Sequence, residues 1–160
     1  MTKTFQQLIT DALTEIPEIA PWDLEEQLEN HPNTLLLDIR EPDEFDGAYI
    51  ENSIHVPRGT MEQACEWDYA ETIPELVKAR QRPVLVICRS GNRSVLAALT
   101  LKMLGYENPI SLKLGIKGCN DSDYPLLNKA GDQVDPDWAD EFFNPPVSDE
   151  QLSARNLSED

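Results

Sequence analysis

The sequence predicts an α/β protein in which a parallel sheet carries helices on both faces, and three features of the chain predict it. Two short apolar runs, Leu35-Leu36-Leu37-Asp38-Ile39 and Val84-Leu85-Val86-Ile87, are continuous rather than alternating, which suits strands covered on both sides. Within residues 94–104, Val95, Leu96, Leu99 and Met103 make a helical stripe between the second run and another at 110–114. Strand, helix and strand in that order imply a right-handed parallel crossover. A chain of 160 residues is long enough to bury such a sheet around one core.

Taken in order, Phe5, Leu8, Ile9, Ala12, Leu13 and Ile16 recur at helical spacing, so residues 5–16 form a helix with one apolar face. Pro17 stops it, Ile19 and Ala20 make a short strand, and Pro21 opens a helix over 22–28. His31-Pro32-Asn33 turns the chain into the strand at 35–39. Ser53-Ile54-His55-Val56 is a further short strand ended by Pro57, and Gly105 is the C-terminal cap of the helix over 94–104. After Pro125 the composition shifts to Asp, Glu, Asn and Pro, with Trp138, Phe142 and Phe143 able to anchor a short helix. The residues from Asp149 onward read as a solvated or disordered tail. The expected organisation is an N-terminal helical extension at 1–18 packed on a central domain at 19–128, followed by an acidic, partly disordered extension at 129–160.

With 30 acidic and 13 basic residues, a formal charge of −17 repels phosphate backbones and anionic lipid. Nucleic acid and membrane are therefore not expected partners. The acidity fits solubility or a saline or alkaline habitat, and alternatively docking to a basic protein. The first residues show no basic segment leading into an apolar one, and no apolar run has membrane-spanning length, so the expectation is a cytoplasmic protein. Cys65, Cys88 and Cys119 are odd in number and lack repeated spacing, which suggests neither a disulfide framework nor a metal site. No cofactor is implied.

One of these cysteines is placed for chemistry. Cys88 follows an apolar strand and Ser94 begins a helix, so Arg89, Ser90, Gly91, Asn92 and Arg93 form a turn at the carboxyl end of the sheet, where open parallel sheets bind ligands. The helix N-terminus aims unpaired N–H groups into that turn, Gly91 gives it backbone freedom, and Arg89 and Arg93 add positive charge. These features favour the thiolate of Cys88 against the opposing penalty of burial. An isolated cysteine at a strand end is usually a small core residue. Two arginines and a glycine within the next five positions reverse that reading.

The chain resembles the rhodanese family. Asp38, Arg40 and the segment Glu41-Pro42-Asp43-Glu44-Phe45 are similar to its Asp-x-Arg-x-x-x-Glu-Phe signature, and residues 47–57 to its Gly-His-Ile-Pro-Gly-Ala…Pro stretch. Residues 84–105 resemble its active-site strand, loop and helix. Leu114-Gly115-Ile116 and Tyr124-Pro125 resemble its closing segments, so the likeness runs from Ile19 to Leu126. It implies a five-stranded parallel sheet and a persulfide on Cys88 as intermediate. Tyr49, Asn52, Leu114 and Cys119 depart from the family's His, Gly, Gly and Trp, and none lies in the Cys88 loop.

The function expected on these grounds is sulfur transfer, from thiosulfate or a persulfide donor to cyanide or a thiol acceptor, with a sulfur-carrier protein among the candidate partners. Cys88 is the nucleophile, and Arg89, Ser90, Gly91, Asn92, Arg93 and Ser94 are the anion-binding loop. Asp38 and Arg40 are expected as a salt-bridged support for it, with direct substrate contact as the alternative. Arg58 follows the third strand, either facing an anionic substrate or remaining a surface arginine. Cys65 is expected as a mobile or packed thiol, with resolution of a persulfide as the alternative. Cys119 is expected as a core filler, and His31 and His55 have no evident acid or base partner. A phosphatase or arsenate reductase of the same fold and a noncatalytic binding module are the alternatives. The spacing Cys-x4-Arg at Cys88 and Arg93 argues against the Cys-x5-Arg of cysteine phosphatases.

Overall fold

In the computed structural model, which describes residues 1–154, five strands form one parallel sheet. They are β1 (Glu18–Ile19), β2 (Leu35–Asp38), β3 (Ile54–His55), β4 (Pro83–Ile87) and β5 (Asn108–Leu112), in the spatial order β1-β5-β4-β2-β3. The helices are α1 (Phe5–Ala12), α2 (Leu24–Asn30), α3 (Pro42–Gly47), α4 (Met61–Ala64), α5 (Pro74–Val77), α6 (Arg93–Met103), α7 (Gly115–Asp121) and α8 (Pro136–Phe142). No helix among the described residues is long and apolar enough to cross a membrane.

The continuous apolar runs have the explanation their pattern suggested. Along β2 and β4, Leu35, Leu37, Val84 and Val86 face one core layer, with Met61, Leu76, Ala97, Ala98 and Leu101 from α4, α5 and α6. Leu36, Leu85 and Ile87 face the other, with Leu24, Ile116, Cys119 and Ala139 from α2, α7 and α8. Both faces are buried because parallel strands need crossovers, and the crossovers lay helices on the sheet. Leu37 pairs with Val86 and Asp38 with Ile87, so β2 and β4 end level with each other and their following residues emerge side by side.

Several boundaries differ from the sequence expectation. The helix expected over 22–28 begins as a 3-10 turn at Pro21–Asp23 and becomes α-helical only at Leu24. On α6 the buried stripe is Val95, Ala97, Ala98 and Leu101, while Met103 is exposed. The alanines leave room for the helix to lie close to the sheet. Gly105 closes α6 as expected: at φ +93° it donates to Lys102 O at 3.1 Å, and Tyr106 N donates to Leu101 O at 3.0 Å.

The N-terminal helix is shorter than expected and sits on α6 rather than on the sheet. Ile9 and Ala12 are buried against Val95, with Leu96 and Leu99 beside them, while Phe5 and Leu8 stay largely exposed. A capping box defines its start, with Gln7 N donating to Thr4 Oγ1 at 3.1 Å and Thr4 N to Gln7 Oε1 at 2.8 Å. At the other end of the chain, Asp135 caps α8, and Ala139 and Phe143 bury against the second core layer. The Phe142 ring lies on Gly47, where an added Cβ would meet Cζ at 2.4 Å. Of the tail expected from Asp149, residues Asp149–Gln151 form a 3-10 turn capped by Ser148, and 155–160 lie outside the described residues.

Candidate active site

Cys88 is the first residue after the central strand β4, and the loop to α6 folds back over its side chain. Gly91 N and Ser94 N donate to Cys88 Sγ at 3.1 and 3.3 Å. The Cys88 thiol donates to Ser94 Oγ at 3.2 Å, and Ser94 Oγ shares a 2.7 Å hydrogen bond with Ser111 Oγ. Sγ therefore sits among convergent backbone donors at the start of α6, an arrangement suited to negative charge. Cys88 is only 1% exposed, yet it lines a cleft of about 330 Å³ with Phe5, Arg89, Ser90, Asn92 and Arg93.

The loop is held from below by the start of α7. Ile116 N donates to Cys88 O at 2.9 Å and Lys117 N to Arg89 O at 3.1 Å. This approach needs glycine at two points. A Cβ on Gly91, at φ +92°, would meet Leu114 N at 2.8 Å, and one on Gly115, at φ +60°, would meet Arg89 O at 2.4 Å. Two of the departures from the family pattern fall in the same conformational region, Asn52 at φ 70° and Leu114 at φ 65°. Asparagine tolerates this region, whereas leucine is strained there by roughly 1–2 kcal/mol.

The arginines divide into different tasks. Arg93 does not face the cleft unopposed: its guanidinium forks onto Glu44 of α3, with both N–O distances 2.9 Å. Burial alone raises the Glu44 carboxyl, but hydrogen bonds and charge from Arg93 outweigh it, and the group titrates below its ordinary 4.5. Arg89 is partly exposed and, among the described residues, has no carboxylate within salt-bridge distance. Arg58 is directed elsewhere, to Glu62 Oε1 at 2.7 Å and Thr100 Oγ1 at 3.2 Å, and does not line the cleft.

Asp38 and Arg40 form a fully buried pair. Arg40 Nε and Nη2 donate to the Asp38 carboxylate at 3.0 and 2.9 Å, and the same guanidinium reaches Ala48 O at 2.6 Å and Glu44 O at 3.2 Å. The pair thus ties the end of β2 to α3, and α3 presents Glu44 to Arg93. His55 Nε2 donates to the backbone Arg40 O at 2.7 Å and its ring stacks on Phe45 at 4.5 Å, so its contact is a carbonyl and not an acid or base partner.

A depressed carboxyl stabilises the fold fully above its unfolded value, and that contribution is lost as pH falls through the native one. Wild type is therefore expected to exceed Glu44→Gln by about 1 kcal/mol at pH 7. Urea unfolding repeated in acid should show the difference vanish below the ordinary glutamate range.

Sequence reasoning passed over three residues. Ser111 is a polar position inside the apolar run at 110–114, a signal that was present in the sequence. Glu44 gave only its place in a motif, and Phe5 read as core. A larger hollow of about 530 Å³ near α8, with Asp46, Lys129, Gln133 and Trp138 on its walls, contains no cysteine.

Comparison with known proteins follows the same geography. The family described as Rhodanese-like domain matches residues 21–122. A mitochondrial Schizosaccharomyces pombe protein assigned as a thiosulfate sulfurtransferase is 39% identical over 79 residues, covering 48% of this chain and 56% of that one. The chain thus spans little more than half of that relative's length. Thiosulfate sulfurtransferase GlpE of Tolumonas auensis is 33% identical over 87 residues, covering 54% of this chain and 73% of its own. Among solved structures, the homodimeric polysulfide-sulfur transferase of Wolinella succinogenes superposes with a TM-score of 0.60 at 25% identity, covering 78% of this chain and 87% of that one. The matched segment takes in β2 to β5 and the whole Cys88 loop, and the chain belongs to the rhodanese-like domain family.

Proposed function

We propose that the protein is a sulfurtransferase that carries sulfane sulfur on Cys88, with residues 19–128 as the unit that performs the reaction. The observation behind this reading is the pair of donors, Gly91 N and Ser94 N, aimed at Cys88 Sγ on the wall of an open cleft. Relatives named for sulfur transfer support it. The Cys88 thiolate attacks the outer sulfur of thiosulfate, a new S–S bond forms, and the old one breaks with its electron pair leaving on sulfite. The terminal sulfur of the persulfide then passes to cyanide or to a thiol acceptor, such as a sulfur-carrier protein.

The loop supplies what each state needs. Backbone N–H groups hold the anionic sulfur without reorganising. The Ser94 hydroxyl, which accepts from the thiol, turns to donate to the thiolate, since hydroxyl rotors adapt and Ser111 is there to accept or donate in turn. Arg89 faces the cleft and attracts the anionic donor.

A phosphatase reading fits less well. Only four residues separate Cys88 from Arg93, and the Arg93 guanidinium is engaged by Glu44 rather than left for a phosphate. A noncatalytic binding module has no use for a cysteine held by two N–H donors.

Thiocyanate formation from thiosulfate and cyanide tests the reading directly. Hydrolysis of an aryl phosphate without thiocyanate formation would transfer the assignment to phosphatase. Arg93→Ala is expected to slow thiocyanate formation about tenfold. That is less than the 10²–10³ of an unpaired anion-hole donor, because Glu44 already offsets the charge. Arg93→Lys keeps the charge but not the planar fork, and should recover part of the loss.

A further inference from the structure

The cleft over Cys88 has one apolar wall, and it comes from outside the matched family segment. Arg89, Ser90, Asn92 and Arg93 line the cleft from the loop itself, and all are polar. The remaining wall is Phe5, the first residue of α1, whereas the family match begins at residue 21. We infer that Phe5 is a specificity-determining residue, selecting organic sulfane donors whose non-transferred group is apolar. The inference rests on the sulfur-transfer reading and names the substrate class of that same site.

The ring is held in place. The capping box of Thr4 and Gln7 fixes the backbone on either side of Phe5, and Lys3, ahead of the helix, pairs with Asp11 on it. Ile9 and Ala12 are buried against Val95 of α6. Because α6 begins at Arg93, the helix that carries Phe5 and the loop that carries Cys88 are fixed to one element.

Phe5 nevertheless remains 53% exposed, although it faces a cleft beside a buried sulfur. An apolar ring left in water at a polar site gains free energy when a ligand covers it. Thiosulfate has no apolar group with which to do so. The cleft volume of about 330 Å³ falls at the lower end of the range for small organic ligands, more than an inorganic anion requires. A donor with an anionic sulfur at the loop amides and an aryl or alkyl group on Phe5 uses both walls.

Organic thiosulfonates are suitable probes. The Cys88 thiolate attacks their outer sulfur, the S–S bond to Cys88 forms, and the bond to the sulfonyl sulfur breaks with its electron pair leaving as sulfinate. Charge and atoms balance without another reactant. Benzenethiosulfonate and methanethiosulfonate share this chemistry and differ in the group that meets Phe5.

The quantity to measure is the ratio of kcat/KM for benzenethiosulfonate to that for methanethiosulfonate, in wild type, Phe5→Ala and Phe5→Leu, with circular dichroism confirming that each variant is folded. Phe5→Ala should lower the ratio roughly tenfold, the scale of apolar discrimination in a pocket. Phe5→Leu should keep the greater part of the preference. An unchanged ratio in Phe5→Ala, with Cys88 still loading from thiosulfate, overturns the inference and leaves the sulfur-transfer reading standing. Failure of every donor to load wild-type Cys88 removes both.

Discussion

Wild-type protein treated with thiosulfate is expected to gain about 32 Da, one sulfur atom, and to lose it on treatment with cyanide or dithiothreitol, while Cys88→Ser gains nothing. Turnover in Cys88→Ser should fall by at least roughly three orders of magnitude, as it does when a covalent nucleophile is removed from a preformed site. Serine fits the space and can keep the hydrogen bonds from Gly91 N and Ser94 N, so the loss isolates the nucleophile from the cradle. A serine hydroxyl is a far weaker nucleophile toward sulfur than a cysteine thiol at neutral pH. Cys65→Ser and Cys119→Ser should still load. Both thiols are fully buried, and burial pushes both up, Cys119 to about 12, away from the ionised form that attacks a donor. Mass retained in Cys88→Ser but lost in Cys65→Ser would mean that the nucleophile is Cys65.

The second large effect concerns stability. Asp38→Asn is expected to destabilise the fold by about 3–5 kcal/mol, because it leaves the Arg40 guanidinium buried without its counter-charge. Both side chains have no exposed surface, so water cannot take over the lost interaction. For a chain of this size the melting temperature should drop by about 10 °C or more. Loading of Cys88 should decline as well, since Arg40 orients α3 through Glu44 O and Ala48 O, and α3 holds Arg93. Guanidinium unfolding at pH 7 checks the first statement and intact mass after thiosulfate the second. A variant as stable as wild type would show that the buried charge is satisfied by carbonyl oxygens alone.

The parallel sheet, its helices on both faces and the Cys88 loop were legible in the chain because each depends on local pattern. Continuous apolar runs mark strands buried on both faces, and Cys88 through Ser94 is a contiguous strand-loop-helix sequence whose N–H groups converge by backbone geometry alone. The pairing of Asp38 with Arg40 was similarly local, since the two residues stand two positions apart at the end of β2. Tertiary structure decided the rest. Arg93 lies 49 residues from Glu44, and only the level ends of β2 and β4 bring them together. Arg58, also at a strand end, leans on Thr100 of α6 instead of the cleft. Ser111 reaches Ser94 because β5 packs beneath α6, and Phe5 shares the cleft of Cys88 because α1 packs on α6. Periodicity specifies which residues share a face of an element, but which face meets which is settled by packing between segments distant in sequence.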